Sequence, residues 1–309
     1  MLHHSPFPGS ARSFDSVVGM SVTALALVLT AAVLHAIWNI AAKRLAHGGF
    51  VFVFSYALLS AVVWLPIGLV VLLRGDAGVT WTLLGASALS GALHIAYGLT
   101  LQTGYRKGDL SVVYPVARGT GPLLTMLFAI LVLAERPGKI AVVGGFVIVL
   151  GVAVVASARS SDGMAGRPAS AGTGLLWGGF TGLAIASYTL WDDHAMSQLA
   201  LLPIPYFAFS TAWQSLLMLP GLRGRRTELT RVPRDHWREI ICVAVLSPLA
   251  YILVLQAMTT TPVALVAPAR ESSIVVGSLL AWKLFDEPAP ARKLAGAIVV
   301  LMGIALIAV

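Results

Sequence analysis

The sequence predicts an all-α integral membrane protein with ten transmembrane helices in two inverted five-helix repeats. Three observations predict it. The chain is 58% hydrophobic and only 11% charged, with a mean hydropathy of +0.86, whereas a soluble domain carries about 25% charged residues. Its apolar runs reach membrane length: "SVTALALVLTAAVLHAIWNIAA" holds 22 residues without a formal charge, and a helical span needs roughly 20. Finally, the frame A-Y-x-L-x-L-Q occurs once in each half of the 309 residues, as "AYGLTLQ" at 96–102 and "AYILVLQ" at 250–256.

Residues 1–20 lack an apolar face and carry two prolines, so they read as a disordered tail. No signal-peptide cleavage site is evident, and "MSVTALALVLT" begins a span at once, which makes Met20 a candidate start. Gly, Pro and charge breaks divide the remainder into ten spans, at 21–43, 50–73, 81–104, 110–133, 139–158, 172–192, 203–220, 238–258, 262–284 and 291–308. The first five form one repeat, 21–158, and the last five a second, 172–309. The Gly- and Ser-rich segment 159–171 reads as the linker. The other long polar piece, "GLRGRRTELTRVPRDHWRE", is too short to hold a domain.

The duplication extends beyond the heptapeptide. An Ala-Arg pair follows each frame, ending at Arg118 and Arg270. Glu135 lies 17 positions after Arg118, as Glu287 does after Arg270, and Gly144 and Gly151 match Gly296 and Gly303 at an offset of 152. A five-span unit crosses the membrane an odd number of times, so its second copy must run in the opposite sense. Inverted repeats of this kind build many secondary transporters.

On these residues, together with "HAIWN" and Lys43 in the first span, "AERPGK" and "DEPAPARK", the chain resembles the drug/metabolite transporter superfamily in its ten-helix EamA-type branch. The resemblance covers nearly everything beyond the tail. It implies a central cavity between the halves and alternating access, most often for export of small solutes. It does not fix the substrate, because similar proteins move amino acids, sugars, nucleotide sugars, phosphorylated metabolites and drugs.

Polar groups at membrane depth face a cavity or one another. His35, Trp38, Asn39 and Lys43 fall at i, i+3, i+4 and i+8, on one helix face, and Tyr188, Thr189, Asp192 and Asp193 occupy the equivalent face of the sixth span. Trp38 and Tyr188 are equally readable as interfacial aromatics, and Lys43 and Asp193 as markers of helix ends. His94 shares a face with Tyr97 and Leu101; a lone histidine is more often a packed, hydrogen-bonded one. Arg118 and Arg270 stay charged at depth and need an anion, water or carbonyls. A proline stands upstream of each, Pro115 and Pro268, which frees a carbonyl. Their role is either ligand-facing or a structural ion pair with Glu271, Asp192 or Asp193. Glu271, next to Arg270 in sequence, is not expected to share its helix face. Glu135 and Glu287 are expected to accept from open amides at a helix start, and the glycines to mark close helix packing.

Other classes are disfavoured. No Gly-rich strand-to-helix turn with Lys-Ser/Thr is present, which argues against an ATP-driven pump. The single Cys242 excludes an internal disulfide or cysteine-rich metal site and reads as an apolar filler. No cofactor is expected, and the net charge of +8 sits mostly in short loops, a mark of topology and not of nucleic-acid binding. Arg12, Arg74, Arg136 and Lys139 share the N-terminal side, while fifteen basic residues lie opposite. That bias puts both termini outside, whereas the family resemblance implies termini inside.

The sequence therefore points to a secondary transporter in a bilayer, the bacterial cytoplasmic membrane above all. It would carry a small polar or amphipathic metabolite such as an amino acid or organic anion, with a coupling proton or ion. His35, Trp38, Asn39, Tyr97, Arg118, Tyr188 and Arg270 are the expected cavity lining. The runner-up is an integral membrane enzyme acting on a lipid-linked substrate through His94 or Asp192. If residues 1–19 contribute nothing to folding, a chain beginning at Met20 will insert and melt like the full chain; a clear loss of folded protein contradicts this.

Overall fold

Where lipid surrounds the backbone, every N–H and C=O must be satisfied within the segment, and long apolar runs therefore become helices. The computed structural model describes residues 19–43, 49–75, 78–108, 110–157, 171–277 and 291–308, and no strand occurs among them. In order, the helices are α1 (Val22–Lys43), α2 (Gly49–Arg74), α3 (Trp81–Lys107), α4 (Leu110–Leu131), α5 (Lys139–Ser157), α6 (Ala171–Ser197), α7 (Pro203–Met218), α8 (Arg226–Asp235), α9 (Trp237–Met258), α10 (Val263–Arg270) and α11 (Ala291–Ile307). Residues 1–18 of the predicted tail (1–20), 159–170 of the linker (159–171) and Glu287 lie outside the described residues, as does the Lys43 side chain.

Among the described residues, four stretches are long and apolar enough to cross a membrane: Val22–Asn39, Gly49–Arg74, Trp81–Gly104 and Trp237–Met258; Val116–Leu131, Lys139–Val154 and Leu294–Ile307 are shorter apolar helices. Local signals set several ends. The Thr80 hydroxyl caps α3 by accepting from the Leu83 amide at 3.1 Å, and Pro203 opens α7. Met20 donates its amide to the Ile307 carbonyl at 2.9 Å, which ties the entry of α1 to the end of α11.

Two elements differ from the expectation. The predicted continuous span at 262–284 is broken. α10 is only 8 residues, and the chain turns at 271–272, where the Glu271 amide donates to Pro268 at 3.0 Å and that of Ser272 to Ala269 at 3.1 Å. Those bonds are three-residue closures that tighten and end the helix. α4, by contrast, runs unbroken through Pro115. The second difference is α8, a helix inside what reads as a polar loop. Its Leu229 and Val232 pack against the apolar residues of α2 and α9.

Small residues allow the closest contacts. A Cβ added at Gly144 would lie 2.7 Å from the Gly303 carbonyl, and one at Gly151 would lie 2.7 Å from the Val300 amide and 2.9 Å from the Gly296 carbonyl. α5 and α11 thus touch backbone to backbone, and the pairing order shows that they run antiparallel. α2 and α7 are likewise antiparallel, with Gly68 against Pro205 and Ala208, and Phe50 against Gly221. α1 packs on α9 as α3 packs on α6. Polar contacts add to these seams: the Ser60 hydroxyl donates to the Ala244 carbonyl at 3.0 Å, and the Trp191 indole to that of Ala86 at 2.9 Å.

Glu135 does cap a helix start, but that of α10 and not of its own neighbour α5. Its two oxygens accept from the Val263 and Ala264 amides at 3.1 and 3.0 Å. Burial raises the Glu135 carboxyl above its ordinary pKa, and the two amide hydrogen bonds oppose that rise.

Gly151→Ala should destabilise the protein by about 1–3 kcal/mol, because backbone cannot yield to the new methyl. Gly85→Ala, which meets nothing within 4 Å, should leave the melting temperature unchanged or slightly raised. Glu135→Ala should cost about 1 kcal/mol, the size of a lost cap, read as an earlier melt of the purified protein.

Candidate functional site

A guanidinium at membrane depth needs an anion, water or carbonyls close by, and here the two share one carboxylate. Arg118 of α4 and Arg270 at the end of α10 are 8% and 4% exposed, and both converge on Glu271, 1% exposed. Arg118 Nη1 donates to Glu271 Oε1 and Oε2 at 3.3 and 3.1 Å. Its Nη2 lies 2.9 Å from His35 Nε2. A guanidinium only donates, so His35 Nε2 accepts, and the imidazole is neutral with its proton on Nδ1.

Arg270 Nε sits 3.7 Å from Glu271 Oε1, and its guanidinium lies over the Tyr188 ring at 5.8 Å from the centroid. The expectation that adjacent residues cannot meet fails here because α10 ends at Arg270. Past that point helical periodicity no longer separates the two side chains. Arg270 Nε is buried and has no hydrogen-bond partner among the described residues. Two guanidiniums, one carboxylate and a neutral imidazole leave the cluster with one excess positive charge.

Beside it stands an aromatic wall. Tyr97 and Tyr188 have ring centroids 5.5 Å apart, Tyr188 and Tyr251 5.9 Å, and His94 stacks on Tyr188 at 4.3 Å. Beyond the wall lies Asp192, fully buried. It accepts from the Tyr206 hydroxyl at 2.6 Å and the Tyr251 hydroxyl at 2.7 Å. His94 Nδ1 donates to the Ser90 carbonyl at 2.9 Å, while its Nε2 stands 3.9 Å from Asp192 Oδ2, too far for a hydrogen bond. Of the three acids considered as partners of Arg118, the structure selects Glu271.

Six of the seven expected lining residues gather here. His35, Arg118 and Arg270 surround Glu271, and Tyr97 and Tyr188 form the wall. Asn39 shares a small cleft with Tyr97, Arg118 and Thr181, with room for about one water molecule. Trp38 stands apart. It touches the His35 ring edge-on at 4.7 Å, but its body packs with Phe52, Ile240 and Val243, and its indole N–H has no partner among the described residues. Tyr251, Tyr206 and Glu271 are site residues not chosen from sequence. For Tyr251 a signal existed: it holds the same place in "AYILVLQ" as Tyr97 does in "AYGLTLQ".

The chain matches the model of the EamA-like transporter family at residues 22–157 and again at 172–309. No functionally curated protein matches it. A solved structure described only as "Crystal structure of protein" superposes with a TM-score of 0.69 at 18% identity, covering 92% of this chain and 96% of that one; the likeness is one of fold. Two family matches spanning nearly the whole sequence, together with its apolar helices, place the chain in the EamA-like transporter family as a multi-pass membrane protein.

Proposed function

We propose that this protein is a secondary transporter that exports a small polar or amphipathic metabolite, such as an amino acid or organic anion, by alternating access between two inverted five-helix halves. One observation carries the reading. A buried ion pair, Arg118–Glu271, joins α4 of the first half to the helix break of the second, beside a second arginine whose Nε stands 3.7 Å from the same carboxylate without a hydrogen bond among the described residues. Broken helices at a repeat interface are where secondary transporters bind solutes. The antiparallel courses of α5 with α11 and of α2 with α7 support the inverted arrangement. In it, α8 is a peripheral helix, and the ten spans are the remaining helices with α10 continuing past its break.

The anionic or zwitterionic character of the solute rests on the arginines. Arg270 presents the planar fork that holds a carboxylate, and the tyrosine wall supplies an amphipathic surface for the rest. The cleft holds no metabolite as it stands, so the bridge must open for a solute to enter. Energy would come from the solute gradient or a coupling proton or ion, across a bacterial cytoplasmic membrane. The enzyme reading gains no support: both oxygens of Asp192 are engaged by tyrosine hydroxyls, and His94 Nε2 is beyond hydrogen-bond reach of it.

Arg270→Gln leaves Glu271 paired with Arg118. It should fold and melt like the wild type, yet lose about tenfold or more of proteoliposome flux, the size of one charge-assisted hydrogen bond. Arg118→Gln breaks the buried pair and should lower both stability and flux. Arg118→Lys keeps the charge without the fork and should retain part of the flux. Unimpaired uptake of anionic and zwitterionic solutes by a well-folded Arg270→Gln protein contradicts the assignment.

A further inference from the structure

The connection between α7 and α9 carries more charge and more order than a tether needs. α8 presents two adjacent rows. Leu229 and Pro233, at i and i+4, face an apolar groove that runs along α2 from Phe54 to Val62, about 12 Å at 1.5 Å per residue. Trp237 and Ile241 of α9 close its far wall, and the groove encloses about 480 Å³. The neighbouring row is Arg226, Thr230 and Arg234, at i, i+4 and i+8.

The arginines of this connection are not equivalent. Arg225 pairs with Glu228 at 3.1 Å and Arg231 with Asp235 at 3.5 Å, and Arg238 lies over the Trp237 ring at 5.2 Å. Arg226 and Arg234, on the row of α8 next to the groove-facing one, are exposed and have no ion pair among the described residues. The lower groove wall, Leu58, Val62 and Ile241, is exposed apolar surface. The arginine-bearing face of α8 thus adjoins a groove whose other wall is exposed hydrocarbon, and Trp237 lines it as interfacial aromatics do.

We propose that this groove is a binding site for an anionic phospholipid, with one acyl chain lying between α2, α8 and α9 and its phosphate held by Arg226 and Arg234. Guanidiniums suit a phosphate through paired N–H donors. A zwitterionic lipid offers the same chain without the net charge that complements two unpaired arginines. The site is independent of the solute site and stands whether or not Arg270 binds solute.

The test uses purified full-length protein in nanodiscs with phosphatidylglycerol or phosphatidylcholine brominated on the acyl chain. The difference between wild type and Trp237→Phe isolates the fluorescence of Trp237. Quenching should require less brominated phosphatidylglycerol than phosphatidylcholine, by about fivefold for each arginine engaged. The Arg226→Gln/Arg234→Gln double variant should quench equally with both lipids, and Arg225→Gln/Arg231→Gln should keep the preference. If the double variant unfolds, the two single variants report the same ratio. Three results overturn the proposal: no quenching of Trp237, equal quenching by both lipids in the wild type, or a preference lost just as fully in Arg225→Gln/Arg231→Gln, which would make it general surface charge.

Discussion

A fixed positive charge inside an apolar layer has to be neutralised by something within a few ångströms, and the bridge from Arg118 to Glu271 is how this fold meets that demand. Its partners belong to different repeats. The first half cannot hold Arg118 at this depth without the second, nor can the second bury Glu271 without the first. An apolar seam between the halves would be held by packing alone, which is indifferent to what enters. A charged seam is sensitive to any ion that can replace one of its members.

The rest of the molecule positions that bridge. α10 is short, and its N-terminal amides would be bare at depth without Glu135, which reaches over from the first half. The C-terminal end of α10 then delivers Arg270 and Glu271 together, because the helix stops between them. The glycine contacts of α5 and α11 bring a helix of each repeat into direct backbone contact. Phe207 and Tyr251 enclose His94 edge-on, and Tyr251 and Tyr206 hold Asp192, so the acidic pole is fixed as firmly as the basic one.

What the sequence made legible was governed by periodicity and repetition. The face carrying His35 and Asn39, the paired arginines and the packing glycines all followed from fixed spacing along regular helices. The Glu135 cap was legible as a chemical type, but not in its target, since a spacing rule cannot say that it serves the other half. The failures occur where regularity stops. Glu271 was discounted as a partner of Arg270 on helical geometry that ends at that residue. α8 reads as polar loop in the sequence because its charges outnumber its two packing residues, Leu229 and Val232. Trp38 shares a face with His35, yet its larger ring follows the apolar cluster of Phe52, Ile240 and Val243. The partners of Asp192 come from α7 and α9, and no local pattern links them to α6.

The account turns on the bridge opening and closing between the two halves, and accessibility reads that directly. Asn39 lines the cleft beside Arg118, and the single native cysteine, Cys242, can be removed as Cys242→Ser. In that background, Asn39→Cys can be probed with a membrane-impermeant maleimide applied to each side of sealed vesicles in turn. Alternating access predicts labelling from either side, with rates that change in opposite directions when a transported solute is added. Labelling from one side alone under every condition would contradict it.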